Sequence, residues 1–150
     1  MSSQQEENTT QIANLALSAT VTASSQNTST GQTADKAIDG VIGGYPSTPY
    51  NVEWATTGGG VGSWLKLTWA TAQTFDTIVL YDRPNSSDQI TSATLTFSNG
   101  TQIPVGTLPN DGTGLTVNVP NITTTTLTLT VNSVSASTQN VGLAEIQAYG

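Results

Sequence analysis

The sequence predicts an all-β domain, a sandwich of about eight antiparallel strands with almost no helix. Three observations point there. Thr alternates with Leu, Val and Ile in segment after segment, the period of two that a pleated strand imposes. Turn-forming Gly, Asn, Asp, Ser and Pro separate those segments at similar spacing. Charged residues are 9% of the 150 residues, so solubility rests on Thr, Ser, Asn, Gln and Gly rather than on the high charge typical of disorder. A chain of this length fits one domain and buries a sizeable core.

Residues 1–13 are polar and unpatterned and read as a flexible lead. Residues 15–24 alternate as a first strand, 25–32 form a polar loop, and 33–38 hold one helical turn. The run Asp35-Lys36-Ala37-Ile38-Asp39-Gly40 has turn chemistry, and the loop 43–51 carries Tyr45, Pro46, Pro49 and Tyr50, giving it two exposed aromatics. Residues 53–57 make a short strand. Gly58-Gly59-Gly60-Val61-Gly62 is a turn and not a phosphate loop, because no Lys-Ser/Thr follows at the required place.

In 63–69, Leu65, Leu67 and Trp69 share one face of a strand, and Trp64, Lys66 and Thr68 the other. Trp64 and Trp69 read as core or near-core residues rather than ligand platforms. Residues 74–81 are the most continuously apolar strand and the central one. The loop 82–89 follows. Residues 90–98 and 101–108 flank Asn99-Gly100, a hairpin signal. Residues 115–119, 127–131 and 143–149 supply the last strands. Strands of this number and spacing describe a β-sandwich of the jelly-roll kind.

The totals exclude much. Ten acids against three bases give a net charge of −7. Nucleic-acid backbones and anionic membranes both require clustered Lys and Arg, so neither is expected as a partner. The balance suits a cation, or neutral or cationic ligands. With no Cys and no His there is no disulfide, thiolate site, His triad or His zinc site. No apolar run approaches a membrane span. The first residues lack the basic and apolar regions of a signal peptide, so the chain is expected to be cytosolic or a module of a longer secreted protein. Five Asn-x-Ser/Thr triplets, from Asn8 to Asn121, read as chance in so Asn- and Thr-rich a chain.

Two constellations stand out. Asp39 offers a hard oxygen on a folded-back loop, and Glu145 puts a carboxylate into the apolar Leu143-Ala144-Ile146 strand, where a buried charge wants a partner. On one reading both acids meet over a calcium ion that fastens the last strand to the first loop. On the other, Asp39 caps a turn and Glu145 faces solvent. The second constellation is Arg83, the only arginine, with Asp82, Asn85, Asp88 and Gln89 close by. Planar donors and acceptors gathered in one loop suit sugar hydroxyls, which both give and accept hydrogen bonds. Tyr45, Tyr50 and Trp54 are candidates to stack on a sugar ring. The alternative is that Arg83 pairs locally with Asp82 or Asp88 and fixes the loop. A hydrolase would need Asp82 and Asp88 as a carboxylate pair, or Lys36 or Lys66 as a partner for a Ser. No motif supports either.

With these residues in view, the chain resembles the galactose-binding-like jelly rolls: discoidin (coagulation-factor type C) domains, family 32 carbohydrate-binding modules and fucose-binding lectins. Six segments carry the resemblance: Asn14-Leu15-Ala16, Ala37-Ile38-Asp39-Gly40, Trp54-Ala55-Thr56, Trp64-Leu65-Lys66-Leu67, Ile78-Val79-Leu80-Tyr81-Asp82-Arg83 and Ala144-Glu145-Ile146-Gln147-Ala148-Tyr149-Gly150. It covers residues 14–150.

The resemblance implies a structural calcium held by Asp39 and Glu145 side chains and by carbonyls of Lys36, Val41 and Ala144. The hydroxyl ligand found after this turn in the family falls to Ser47 or Thr48, or is missing. The resemblance also implies a sugar site in end loops that include Arg83. The lectins' His and adjacent cysteines are lacking, and Ile90 stands where they have a second Arg, so fucose is not expected. Galactose-, glucose- and amino-sugar-type glycans remain. The expected function is a non-catalytic carbohydrate-binding module or lectin, useful as an oligomer or as one module of a larger protein. The alternatives are a protein–protein adhesion or structural module without a sugar site and, least favoured, a small hydrolase.

Overall fold

The computed structural model describes residues 13–150, so the lead expected over residues 1–13 lies, apart from Ala13, outside the described residues. Seven strands follow in order: β1 Thr20–Ala23, β2 Trp54–Ala55, β3 Trp64–Asp82, β4 Ile90–Phe97, β5 Gln102–Val105, β6 Leu115–Val134 and β7 Gly142–Tyr149. Two short 3-10 turns, Leu15–Ser18 and Ala34–Ile38, complete the regular structure. Among the described residues no helix is long and apolar enough to cross a membrane.

The first strand is shorter than its alternation suggests. Asn14 Oδ1 accepts from the Ala16 N–H (3.1 Å) and from the Ala148 N–H (3.0 Å), so residues 15–18 coil around an anchor on the last strand before β1 begins. Asn at this capping position satisfies a donor that the turn leaves free. The helical turn expected over 33–38 is present as the second 3-10 turn.

β3 and β6 each join two segments that the sequence presents as separate strands. Both bend partway, and the register between them shifts between Thr68 and Gln73 and again between Phe75 and Thr77. The first half of β3 lies between β1 and the second half of β6, which continues to β4 and β5. The second half of β3 lies between the first half of β6 and β7, and β7 pairs with β2. Every pairing is antiparallel. Two strands crossing between layers thus build a jelly-roll sandwich from seven segments instead of eight.

The core lies between the layers. Leu65, Leu67 and Trp69 are buried on the expected face of β3, against Ile78, Leu80, Leu95, Leu127, Leu129 and Ile146. At the bend Phe75 is tilted between Trp69 and Phe97, with centroids 5.7 and 6.1 Å away. Such aromatic pairing adds to area burial. At the Asn99-Gly100 turn Gly100 has φ +88°, the left-handed value a hairpin loop demands. The opposite end of the sandwich matters for function. There β3 finishes at Asp82, β4 starts at Ile90, and β2 and β7 begin.

Candidate functional site

The site is built outward from Asp82, the last residue of the central strand. Its carboxyl accepts from both ends of the next loop, Oδ1 from the Arg83 N–H (2.7 Å) and Oδ2 from the Ile90 N–H (2.9 Å). Burial pushes its pKa up to about 7, against the pull of those two N–H groups and of the Arg83 guanidinium. Asp82 therefore shapes the loop from beneath. It does not line the pocket described below, unlike most of the residues expected with it at the sugar site.

Arg83 turns inward and is 4% exposed. Its Nη1 donates to Asp88 Oδ2 (2.9 Å) and to the Asn140 carbonyl (2.7 Å), and its Nη2 donates to Glu53 Oε2 (3.0 Å). Local pairing with Asp88 thus holds, joined by a second carboxylate from β2's approach. Arg83 Nε is buried without a partner, whereas Asp88 is fully engaged: Oδ2 also accepts from Asn85 Nδ2 (3.0 Å), and Oδ1 accepts from the N–H groups of Gln139 (2.7 Å) and Asn140 (3.3 Å). A buried ion pair is tolerable only with such further hydrogen bonds. Asn110 Nδ2 donates to the Arg83 and Asp88 carbonyls, tying in another loop.

Above this cluster opens a pocket of about 500 Å³ lined by Thr30, Gln32, Tyr45, Tyr50, Arg83, Asn85, Ser87, Asp88, Gln139 and Asn140. Tyr45 and Tyr50 form one wall, edge to face at 6.4 Å and 72°, and are 49% and 39% exposed. The rest of the lining is hydroxyl, amide, guanidinium and the Asp88 carboxylate. Of the seven residues singled out from the sequence for sugar binding, Tyr45, Tyr50, Arg83, Asn85 and Asp88 meet here. Trp54 does not: it is fully buried, its Nε1 donates to the Ser25 carbonyl (2.8 Å), and no ring face is left for a ligand. Sequence reasoning missed Gln32, Asn140 and above all Glu53. Glu53 had a signal of the kind that picked out Glu145, an acid set against an apolar pair, here Trp54-Ala55.

Asp39 and Glu145 do come together. Glu145 Oε2 accepts from the Gly40 N–H (2.8 Å), and Asp39 Oδ1 accepts from the Val41 N–H (2.9 Å). Glu145 is buried and does not face solvent. Its pKa is pushed up to about 9, first by burial and then by the Asp39 carboxyl beside it. Glu145 Oε1 is buried without a hydrogen-bond partner. An orphaned carboxylate oxygen next to a second carboxylate is what a hard cation would satisfy, so the pair fits calcium. Among the described residues no cluster of three or more acidic side chains forms, so carbonyls would have to complete the shell.

Residues 14–149 match the family described as Domain of unknown function (DUF7402). The chain belongs to that family. No curated protein matches this DUF7402 member. Its fold is shared with solved structures. One is the family 32 carbohydrate-binding module from C. perfringens NanJ in complex with galactose, at TM-score 0.70 and 22% identity over 93% of this chain and 98% of that one. Another is chitosan-binding module 2 of a chitosanase/glucanase from Paenibacillus sp. IK-5, in complex with chitotriose, at 0.69 and 21% over 91% and 100%. A third is the fucolectin from striped bass (Morone saxatilis) serum, at 0.74 and 15% over 92% and 47%. At these identities the likeness establishes the fold alone, a jelly-roll β-sandwich.

Proposed function

We propose that this DUF7402 chain is a non-catalytic glycan-binding module that takes a sugar in the end-loop pocket. The observation that carries the reading is the mixed lining of the pocket: exposed Tyr45 and Tyr50 together with Asn85, Ser87, Gln139, Asn140 and Arg83. A sugar ring has the complementary anatomy, an apolar C–H face and a rim of hydroxyls. Two of the similar structures are complexes, one with galactose and one with chitotriose, which supports the class.

Charge narrows the ligand. One guanidinium stands against the Glu53 and Asp88 carboxylates, in a protein of net charge −7. Galactose-, glucose- or amino-sugar-type ligands suit that balance, and anionic sugars do not. Catalysis is not proposed. The pocket's one carboxylate, Asp88, has both oxygens committed to structure, and the chain has no His or Cys for nucleophilic or general-base work.

We also propose a structural calcium held by Asp39 and Glu145 with carbonyls of Lys36, Val41 and Ala144. Bound there, the ion would neutralise both acids and join the 39–41 turn to β7. A single shallow pocket binds weakly, so the module would work as part of a larger secreted protein or as an oligomer.

The test is a glycan array in calcium-containing buffer. Saturable hits on galactose-, glucose- or glucosamine-containing glycans, lost in Tyr50→Ala, are expected. A blank array from folded protein would discard the sugar reading in favour of protein–protein adhesion.

A further inference from the structure

Glu53 does not line the pocket, yet three residues that do are bonded to it. Its Oε2 accepts from Gln32 Nε2 (2.7 Å), from the Tyr45 N–H (3.0 Å) and from Arg83 Nη2 (3.0 Å). Gln32 belongs to the loop after β1, Tyr45 to the long loop before β2, and Arg83 to the loop after β3. One buried oxygen therefore joins the three loops that make the floor and the aromatic wall. Bonds to an ionised acceptor are the stronger kind.

The carboxylate fits only because residue 44 has no side chain. A Cβ on Gly44 would lie 2.1 Å from Glu53 Oε1 and 2.4 Å from its Cδ. Gly44 also has φ +149°, a backbone value that favours glycine. Glu53 is fully buried, and without its bonds to Arg83 it would be an uncompensated charge.

We infer that Glu53 is the positioning residue that assembles the ligand pocket, and that Gly44 is the seat that admits it. The inference rests on reading this pocket as the glycan site, but its structural half is measurable without ligand. Glu53 holds Tyr45 through its backbone N–H, and so sets where the aromatic wall stands relative to Arg83. It also supplies one of the two carboxylates paired with the guanidinium.

The experiment compares wild type, Glu53→Ala, Gly44→Ala, the double variant and Glu53→Gln. Hydrogen exchange at the Tyr45 amide is followed by NMR in the ligand-free protein. Titrations then use galactose, N-acetylglucosamine and chitotriose as probes. Glu53→Ala and Gly44→Ala are each expected to speed Tyr45 exchange by more than about tenfold, the scale of losing a bond to a charged group. In the double variant the methyl meets no carboxylate, so Gly44→Ala is expected to add less to the exchange rate than it does in the wild type, the remainder being the strain of a side chain at φ +149°. Wild-type protection of Tyr45 in Glu53→Ala, or effects that multiply in the double variant, would overturn the inference.

Should Glu53→Ala not fold, Glu53→Gln keeps the size and loses the charge. Faster Tyr45 exchange and at least about tenfold weaker sugar binding are expected of it. Wild-type exchange together with wild-type affinity would overturn the inference. A wild type silent to all three sugars refutes the glycan reading, and the exchange data then decide the role of Glu53 alone.

Discussion

The Arg83 guanidinium lies 2.9 Å from the Asp88 carboxylate, with both side chains almost wholly out of water. That relationship joins stability to recognition, because the only arginine of the chain is both a pocket wall and the counter-charge for two buried acids. Removing one member of a buried pair costs about 3–5 kcal/mol, since the partner charge stays behind. Arg83→Ala is therefore expected to lower stability by that order and to abolish glycan binding as well. Urea unfolding measures the first. A variant as stable as wild type would mean that the cluster is not a buried ion-pair network. Loss of binding in this variant alone does not identify a ligand contact, because the pocket itself would collapse.

Tyr45 and Tyr50 separate the two effects. Both rings are substantially exposed, so each truncation to Ala removes wall without opening the core. Each is expected to weaken binding by about 1–2 kcal/mol, roughly 5–30-fold, while changing stability by less than about 1 kcal/mol. Trp54→Ala should do the reverse to stability, at about 3–5 kcal/mol for a buried Trp. Isothermal titration and thermal melts on the same preparations check this contrast. Unchanged affinity in both Tyr variants would move the ligand elsewhere.

What was legible in the sequence follows from period and distance. Leu65, Leu67 and Trp69 declare one buried face through spacing alone, and Asn99-Gly100 declares its hairpin. The joining of 64–69 with 74–82 into one bent strand was not legible. The alternation lapses over the exposed Ala70, Thr71 and Ala72, whereas the ladder resumes beyond them after a register shift. The loop around Arg83 declared itself by local composition, so Asn85 and Asp88 were within reach. Glu53, Gln32 and Asn140 lie 30, 51 and 57 residues from Arg83 along the chain, and the closure of the sandwich brings Glu53 and Asn140 onto Arg83 and Gln32 onto Glu53. Trp54 misled because an aromatic beside a loop looks available until β2 is seen paired with β7 in the interior.

Asp82 makes stability depend on pH in an unusual direction. Its pKa in the fold, about 7, lies above its ordinary 3.8. Between those values the folded chain keeps a proton that the unfolded chain has released. This group therefore contributes a stability that is fully present below about pH 4 and is lost as pH rises through about 7, at up to 1.4 kcal/mol per pH unit. The guanidinium of Arg83 opposes the shift and the Asp88 carboxylate assists it. Asp82→Asn should flatten that part of the profile, at the cost of whichever backbone N–H then faces the amide nitrogen. Denaturant midpoints from pH 4 to 8 decide it: an identical slope in wild type and variant would return Asp82 to an ordinary ionised carboxylate.

The Asp39–Glu145 pair gives the sharpest test of the proposed ion. An ion bound only by the folded state stabilises by about 2.7 kcal/mol at a hundred times its dissociation constant, or about 5–10 °C in a domain of this size. Chelation is expected to lower the melting temperature by that order, and added calcium to restore it. Asp39→Ala should remove the difference, because Glu145 alone, bonded only to the Gly40 N–H, presents too few oxygens to hold a hard cation. Val41→Ala should keep the difference, because the resemblance assigns Val41 a carbonyl that every residue carries. Coincident melts with and without chelator would remove calcium. Glu145 would then be a buried acid kept neutral beside Asp39, and the last strand would be fastened by a hydrogen bond instead of an ion.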